Sequence, residues 1–161
     1  MLASFAIGMG GTGTAGYSHS AQYVRDRMLT AFQDLQRPEF YFTSLKKALY
    51  DLQELMYITN NDSWDGYQAK AVPAESFERA VSFLAALPGS VEVPSVSVEP
   101  DGHVSFEWYK SPHRTLSVSV SPEGDLHYAA LVGPSKAFGT EVFAGRLPDQ
   151  IHDLIDRVDA D

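Results

Sequence analysis

Between Ser95 and Phe143 the hydrophobic and polar positions alternate with a period of two, and turn signals cut the stretch into strands. Val96 and Val98 lead through Pro100-Asp101-Gly102 to Val104, Phe106 and Trp108; Ser111-Pro112-His113 leads on to Leu116, Val118 and Val120, and Pro122-Glu123-Gly124 to Leu126, Tyr128 and Ala130. Each break is three residues long. Read as three-residue hairpin loops, the breaks pair Val98 with Val104, Trp108 with Leu116, and Val120 with Leu126. These apolar residues then share one face, a result that a one-residue slip in any strand would destroy. Gly133-Pro134-Ser135 turns the chain into a fifth strand, Ala137 to Phe143, in which Gly139 marks a candidate bulge.

Upstream the period changes to that of a helix. Val24, Met28, Ala31, Phe32 and Leu35 form one stripe between an N-cap at Ser20 and a stop at Pro38, so a helix is expected to about Gln36. Leu45, Ala48, Leu49, Leu52, Leu55 and Met56 form a second stripe, with a start near Thr43 or Ser44 and an end before Asn60-Asn61-Asp62. The two are expected to make an antiparallel hairpin joined by Pro38-Glu39-Phe40-Tyr41. A third helix follows Pro73, from about Ala74 to Leu87, burying Phe77, Ala80, Val81, Leu84 and Leu87 before Pro88-Gly89. Leu147-Pro148-Asp149 starts a last helix with Ile151, Leu154, Ile155 and Val158 inward. The expected architecture is therefore α+β: a five-stranded antiparallel meander covered on one face by helices, with an N-terminal helical hairpin. Residues 1–19 are expected to form a flexible glycine-rich tail, and 20–161 one domain.

A chain of 161 residues with 44% apolar and 20% charged residues is long enough to bury a core without staples. It contains no cysteine, which excludes disulfides, thiolate catalysis and cysteine-ligated zinc. Its 21 acidic and 12 basic residues give a formal charge of −9, with no basic cluster denser than Lys46-Lys47. Direct nucleic-acid binding needs several cations on one face and is not expected; an acidic surface favours a basic partner. No window offers the ~18–20 apolar residues of a membrane helix, and the start lacks the cationic residues of a secretion signal, so a cytoplasmic location is expected. Gly8, Gly10, Gly11, Gly13 and Gly16 follow a short apolar run, as in a dinucleotide-binding turn. Neither a Lys-Ser/Thr pair nor a βαβ crossover accompanies them, and no nucleotide site is assigned.

The segment Trp64-Asp65-Gly66-Tyr67, with Ala69 and Pro73 and a helix ending Leu87-Pro88, is the least generic in the chain. Together with Pro100-Asp101-Gly102 leading to Glu107-Trp108, and Gly139-Thr140-Glu141-x-Phe143 leading to Leu147-Pro148, it resembles a group of small bacterial proteins. The resemblance covers about Asn60 to Val158 and implies a bacterial or phage source and a gene that travels with accessory or mobile elements. That group has no established activity or cofactor to carry over.

Two regions hold candidate site residues. On the sheet's second face the same register collects Ser97, Glu99, His103, Ser105, Glu107, Tyr109, Thr115, Ser117, Ser119 and His127, with Ser119 opposite His127 and Glu107 opposite Ser117. A serine and a histidine near a carboxylate are the raw material of nucleophilic catalysis, but short polar residues on a solvated sheet face give the same pattern without chemistry. In the loop, Trp64 and Tyr67 either anchor it or meet a partner, and a turn at Asp65-Gly66 is expected to point both rings the same way. The histidines His19, His103, His113, His127 and His152 show no i, i+4 or His-x-His spacing, so no metal or cofactor is assigned; His103 and His127 meet only across an intervening strand. The function expected is a non-enzymatic protein-binding or regulatory module, an antitoxin-like protein or inhibitor of a basic, nucleic-acid-handling partner. Its contact residues would come from Trp64, Asp65, Tyr67, His103, Glu107, Tyr109 and His127. The alternative is a small hydrolase using His103, Glu107, Ser119 and His127, and a third expectation is a homo-oligomer built through residues 20–58.

Overall fold

The computed structural model describes Asp26 and residues 39–160. The glycine-rich segment and the helix expected over 20–36 lie outside the described residues, Asp26 excepted. The elements run α1 (Glu39–Ile58), α2 (Ala74–Ala86), β1 (Ser95–Val98), β2 (Val104–Ser111), β3 (Arg114–Val120), β4 (Asp125–Val132), β5 (Ser135–Val142) and α3 (Asp149–Asp159). This is an α+β fold with a five-stranded antiparallel sheet in the order β1-β2-β3-β4-β5.

The expected pairings Val98 with Val104, Trp108 with Leu116 and Val120 with Leu126 are all present. Two of the reversals are three-residue loops. Glu99 N donates to the His103 carbonyl at 2.9 Å with Gly102 at φ +93°, and Ser121 N donates to the Asp125 carbonyl at 2.9 Å with Gly124 at φ +101°. A positive φ at the last loop position is the demand that glycine meets there. The middle reversal differs from expectation: Ser111 pairs with Arg114 across a two-residue turn, Pro112-His113, and the register shifts between Tyr109 and Ser111. The displaced residue, Lys110, makes up the count, so the parity of β2 against β3 is the one a three-residue loop would have produced.

β5 starts two residues earlier than expected and pairs with β4 without interruption, Tyr128 opposite Gly139 and Ala130 opposite Ala137. Gly139 therefore marks no bulge. A Cβ there would lie 2.6 Å from the Tyr128 hydroxyl and 2.9 Å from its Cζ, so glycine makes room for the tyrosine ring across the strand pair. α1 begins at Glu39, so the Glu39-Phe40-Tyr41 stretch expected as a connection is helical. A proline just ahead of a helix costs no hydrogen bond, because the first-turn N–H groups have no intrahelical partner. α2 stops at Ala86, and Leu87 takes the extended ψ of 132° imposed by the following Pro88.

The helices lie on the face that carries Val104, Phe106, Leu116, Val118, Val120 and Leu126, each 0% exposed. α1 packs on β1 and α2, α2 on β2 and β3, and α3 on β2, β3 and β4. Phe83 of α2 is the centre of this core: its ring meets Phe106 at 4.9 Å, Phe143 at 5.8 Å and Trp108 at 6.5 Å between centroids. Edge and tilted contacts of this kind add to the burial each ring already contributes. Phe143 closes the core from the far edge, where its N–H bonds the Gly124 carbonyl at 2.9 Å and the chain crosses back to α3. α3 turns Ile151, Leu154, Ile155 and Val158 inward.

Candidate functional site

The loop between α1 and α2 is held by two aspartates acting on backbone. Asp65 Oδ1 accepts from Tyr67 N at 2.8 Å and Ala69 N at 3.2 Å, and Asp62 Oδ1 accepts from Ala71 N at 2.8 Å. Side-chain bonds of this kind are why aspartate favours turns. The backbone N–H of Tyr67, ahead of the other contacts, holds the Asp65 carboxyl below the usual carboxylate range. Ser63 and Gly66 take positive φ within the same loop, at +63° and +79°. The two aromatic rings separate, contrary to the expectation that they share a direction. Trp64 is half-buried against the core with its indole N–H on the Lys70 carbonyl at 3.0 Å, whereas Tyr67 is 86% exposed. Closing the turn onto Asp65 uses the Tyr67 N–H and leaves its ring on the outer surface. Trp64 anchors the loop and Tyr67 is what the loop presents.

The sheet's second face is built from rows set by the register. One row reads Ser97, Ser105, Ser119, His127 and Thr140 from β1 to β5. Ser105 Oγ lies 3.3 Å from Ser117 Oγ and 3.5 Å from Ser119 Oγ, the Ser119 hydroxyl donates to Glu99 Oε1, and His127 Nδ1 is 3.0 Å from Thr140 Oγ1. His103 and His127 do meet across β3: their rings stack with centroids 5.6 Å apart and planes within 8°. Among the described residues Ser119 bonds carboxylate and serine rather than imidazole, so the Ser-His contact of a general-base-activated nucleophile is not formed in this geometry. Glu107 pairs with Ser117 one row away from Ser119, and with Tyr109 it lines a cleft of roughly 210 Å³ closed by Ser95, Lys110 and Asp159. Lys110 Nζ bridges that cleft to Asp159 Oδ1 at 3.3 Å.

One end of this face is not polar. The register places Ala129, Leu131, Phe138 and Val142 on the same side as the serines, with Phe138 82% exposed and Val142 74% exposed. Thr115, Ser117, Ala129, Leu131, Lys136 and Phe138 line a shallow depression of roughly 310 Å³. Among the described elements β5 touches only β4, so none of them covers its outer edge or its exposed aromatic. Sequence reasoning missed this patch, yet a signal was there: the alternation lapses over Tyr128-Ala129-Ala130-Leu131-Val132, and an unbroken apolar run places apolar groups on both faces of a strand. No helix among the described residues is long and apolar enough to cross a membrane. No family model, curated protein or solved structure matches the chain.

Proposed function

We propose that this chain is a non-enzymatic protein-binding module, and that β5 with the adjoining second face of the sheet receives an extended segment of a basic partner. The observation that carries the reading is the outer edge of β5, which no other described element covers, eight residues in unbroken register with β4 and bearing the exposed Phe138. An unpaired strand edge offers backbone donors and acceptors to an incoming strand, and side chains beside it supply selectivity. Phe138, Leu131 and Ala129 give an apolar seat there. Glu107 on the same face and a formal charge of −9 favour a cationic sequence. Inhibition of a basic, nucleic-acid-handling protein of the bacterial or phage host is the form of this activity that the charge favours. Tyr109, 62% exposed and in one row with Thr115 and Leu131, extends the set of aromatic contacts on this face.

The test is affinity capture on immobilised wild-type protein and on Phe138→Glu, with circular dichroism and urea unfolding as fold controls. Since Phe138 lies on the outside, the variant is expected to fold as the wild type does. A basic protein retained by the wild type, released by salt and lost with Phe138→Glu supports the reading. Equal retention by both, or no salt-sensitive basic protein on either, overturns it.

A further inference from the structure

Three side chains with metal-ligand chemistry meet where the β1–β2 hairpin turns. Glu99, Asp101 and His103 alternate along this tight loop, and one ligand atom from each lies within 4.8 Å of the other two. We propose that this rim binds a first-row divalent cation, Zn²⁺ fitting best, through a carboxylate oxygen of Glu99, a carboxylate oxygen of Asp101 and His103 Nδ1.

The distances suit one ion. Oxygen and imidazole ligands sit about 2.0–2.2 Å from zinc, so two donors on one ion are at most about 4.4 Å apart. His103 Nδ1 and Asp101 Oδ2 are already 3.9 Å apart, and the three ligand atoms all lie within 4.8 Å of one another, close to that limit. Each carboxylate is steadied by one oxygen, leaving the other for the ion. The Ser119 hydroxyl donates to Glu99 Oε1, and the His103 backbone N–H donates to Asp101 Oδ1 at 3.2 Å. Partners of this outer kind orient ligands and raise affinity. The loop itself is fixed to the core, because the Gly102 carbonyl accepts the hydroxyl of the buried Ser76 of α2 at 2.6 Å.

Charge supplies an independent reason. Among the described residues the ion pairs of Lys and Arg are made elsewhere, with Asp51, Asp159, Asp149 and Asp153, and none reaches Glu99 or Asp101. Two neighbouring carboxylates that no described Lys or Arg reaches leave a negative site that a dication neutralises. His127 stacks on the His103 ring but lies outside the group of ligand atoms. A donor set of carboxylate and imidazole without thiolate favours zinc or manganese over copper(I), and the imidazole disfavours calcium and magnesium. Spacing rules for helical or His-x-His sites pass over it because the donors straddle a hairpin.

The experiment is calorimetric titration of Zn²⁺ into the full chain after chelator treatment and dialysis, with nuclear magnetic resonance of the imidazole signals. One Zn²⁺ per chain is expected, with the His103 ring signals shifting most. Glu99→Gln, which preserves shape, and His103→Ala should each weaken binding at least about 10-fold, since loss of an outer-shell partner alone costs about 10- to 100-fold. His113→Ala and His152→Ala should leave it unchanged. Urea midpoints of all four variants show whether a loss reflects binding or folding, and a folded Glu99→Gln that binds Zn²⁺ as tightly as the wild type overturns the proposal. So does binding that shifts the His113 or His152 signals instead, which would mark an adventitious ion only.

Discussion

Replacing Gly139 with valine should change the sign of its effect on stability according to what stands at position 128. In the wild type a new Cβ at 139 would lie 2.6 Å from the Tyr128 hydroxyl, 2.9 Å from Cζ and 3.1 Å from Cε1. Three atoms of one ring are involved, so the tyrosine must leave its place over the glycine rather than bend its tip. Overpacking of this kind costs about 1–3 kcal/mol. With Tyr128→Ala the obstruction is gone. Valine then contributes the preference of a branched side chain for a strand over glycine, up to about 1 kcal/mol in the stabilising direction. The coupling between the two positions should thus be roughly 1–4 kcal/mol. Urea unfolding of the four proteins of the cycle measures it, followed by the fluorescence of the two tryptophans, of which Trp108 is 5% exposed and Trp64 packs half-buried against the core. With a urea slope of about 2 kcal/mol per molar, a 2 kcal/mol change moves the midpoint by roughly 1 M. If Gly139→Val destabilises equally in both backgrounds, the ring does not occupy the glycine's space and the account of this strand pair fails.

Two further outcomes follow from the core and the loop. Phe83→Ala, at a ring 0% exposed and in contact with Phe106, Trp108 and Phe143, should cost about 3–5 kcal/mol by the same unfolding assay, and a loss below about 1.5 kcal/mol would remove Phe83 from the centre of the core. Asp65, its carboxyl held below the usual range chiefly by the Tyr67 N–H, should protect the loop amides at neutral pH and lose that protection as the pH falls through its lowered folded-state value. Hydrogen exchange at Tyr67 and Ala69, corrected for intrinsic pH dependence, measures this; Asp65→Asn should flatten the acid-side loss, and an unchanged profile would show that another group controls the loop.

Much of the fold was legible because strand parity is a local property. Turn residues at Gly102 and Gly124 and the alternation around Phe106, Val118 and Leu126 were sufficient to place Trp108, Leu116 and Val118 on one face. Even the error at Pro112-His113 left that result intact, since a shorter turn and a displaced Lys110 shift the count twice. Less of the candidate site was legible. The list of second-face residues was right in Glu99, His103, Ser119 and His127, but which atoms meet depends on side-chain rotation and on spacing across three strands. Ser119 bonds Glu99, and His103 reaches over β3 to His127.

The sequence by itself determined the order of the described helices and strands, the antiparallel pairing and the composition of the buried face, because periodicity and turn geometry act between near neighbours in the chain. Tertiary structure alone decided that Trp64 turns inward while Tyr67 turns out, that Gly139 serves the Tyr128 ring, and that no other described element covers the outer edge of β5. Each of these depends on what a side chain or strand meets after the layers assemble. That is a question of volume and position in space, on which spacing along the chain carries no information.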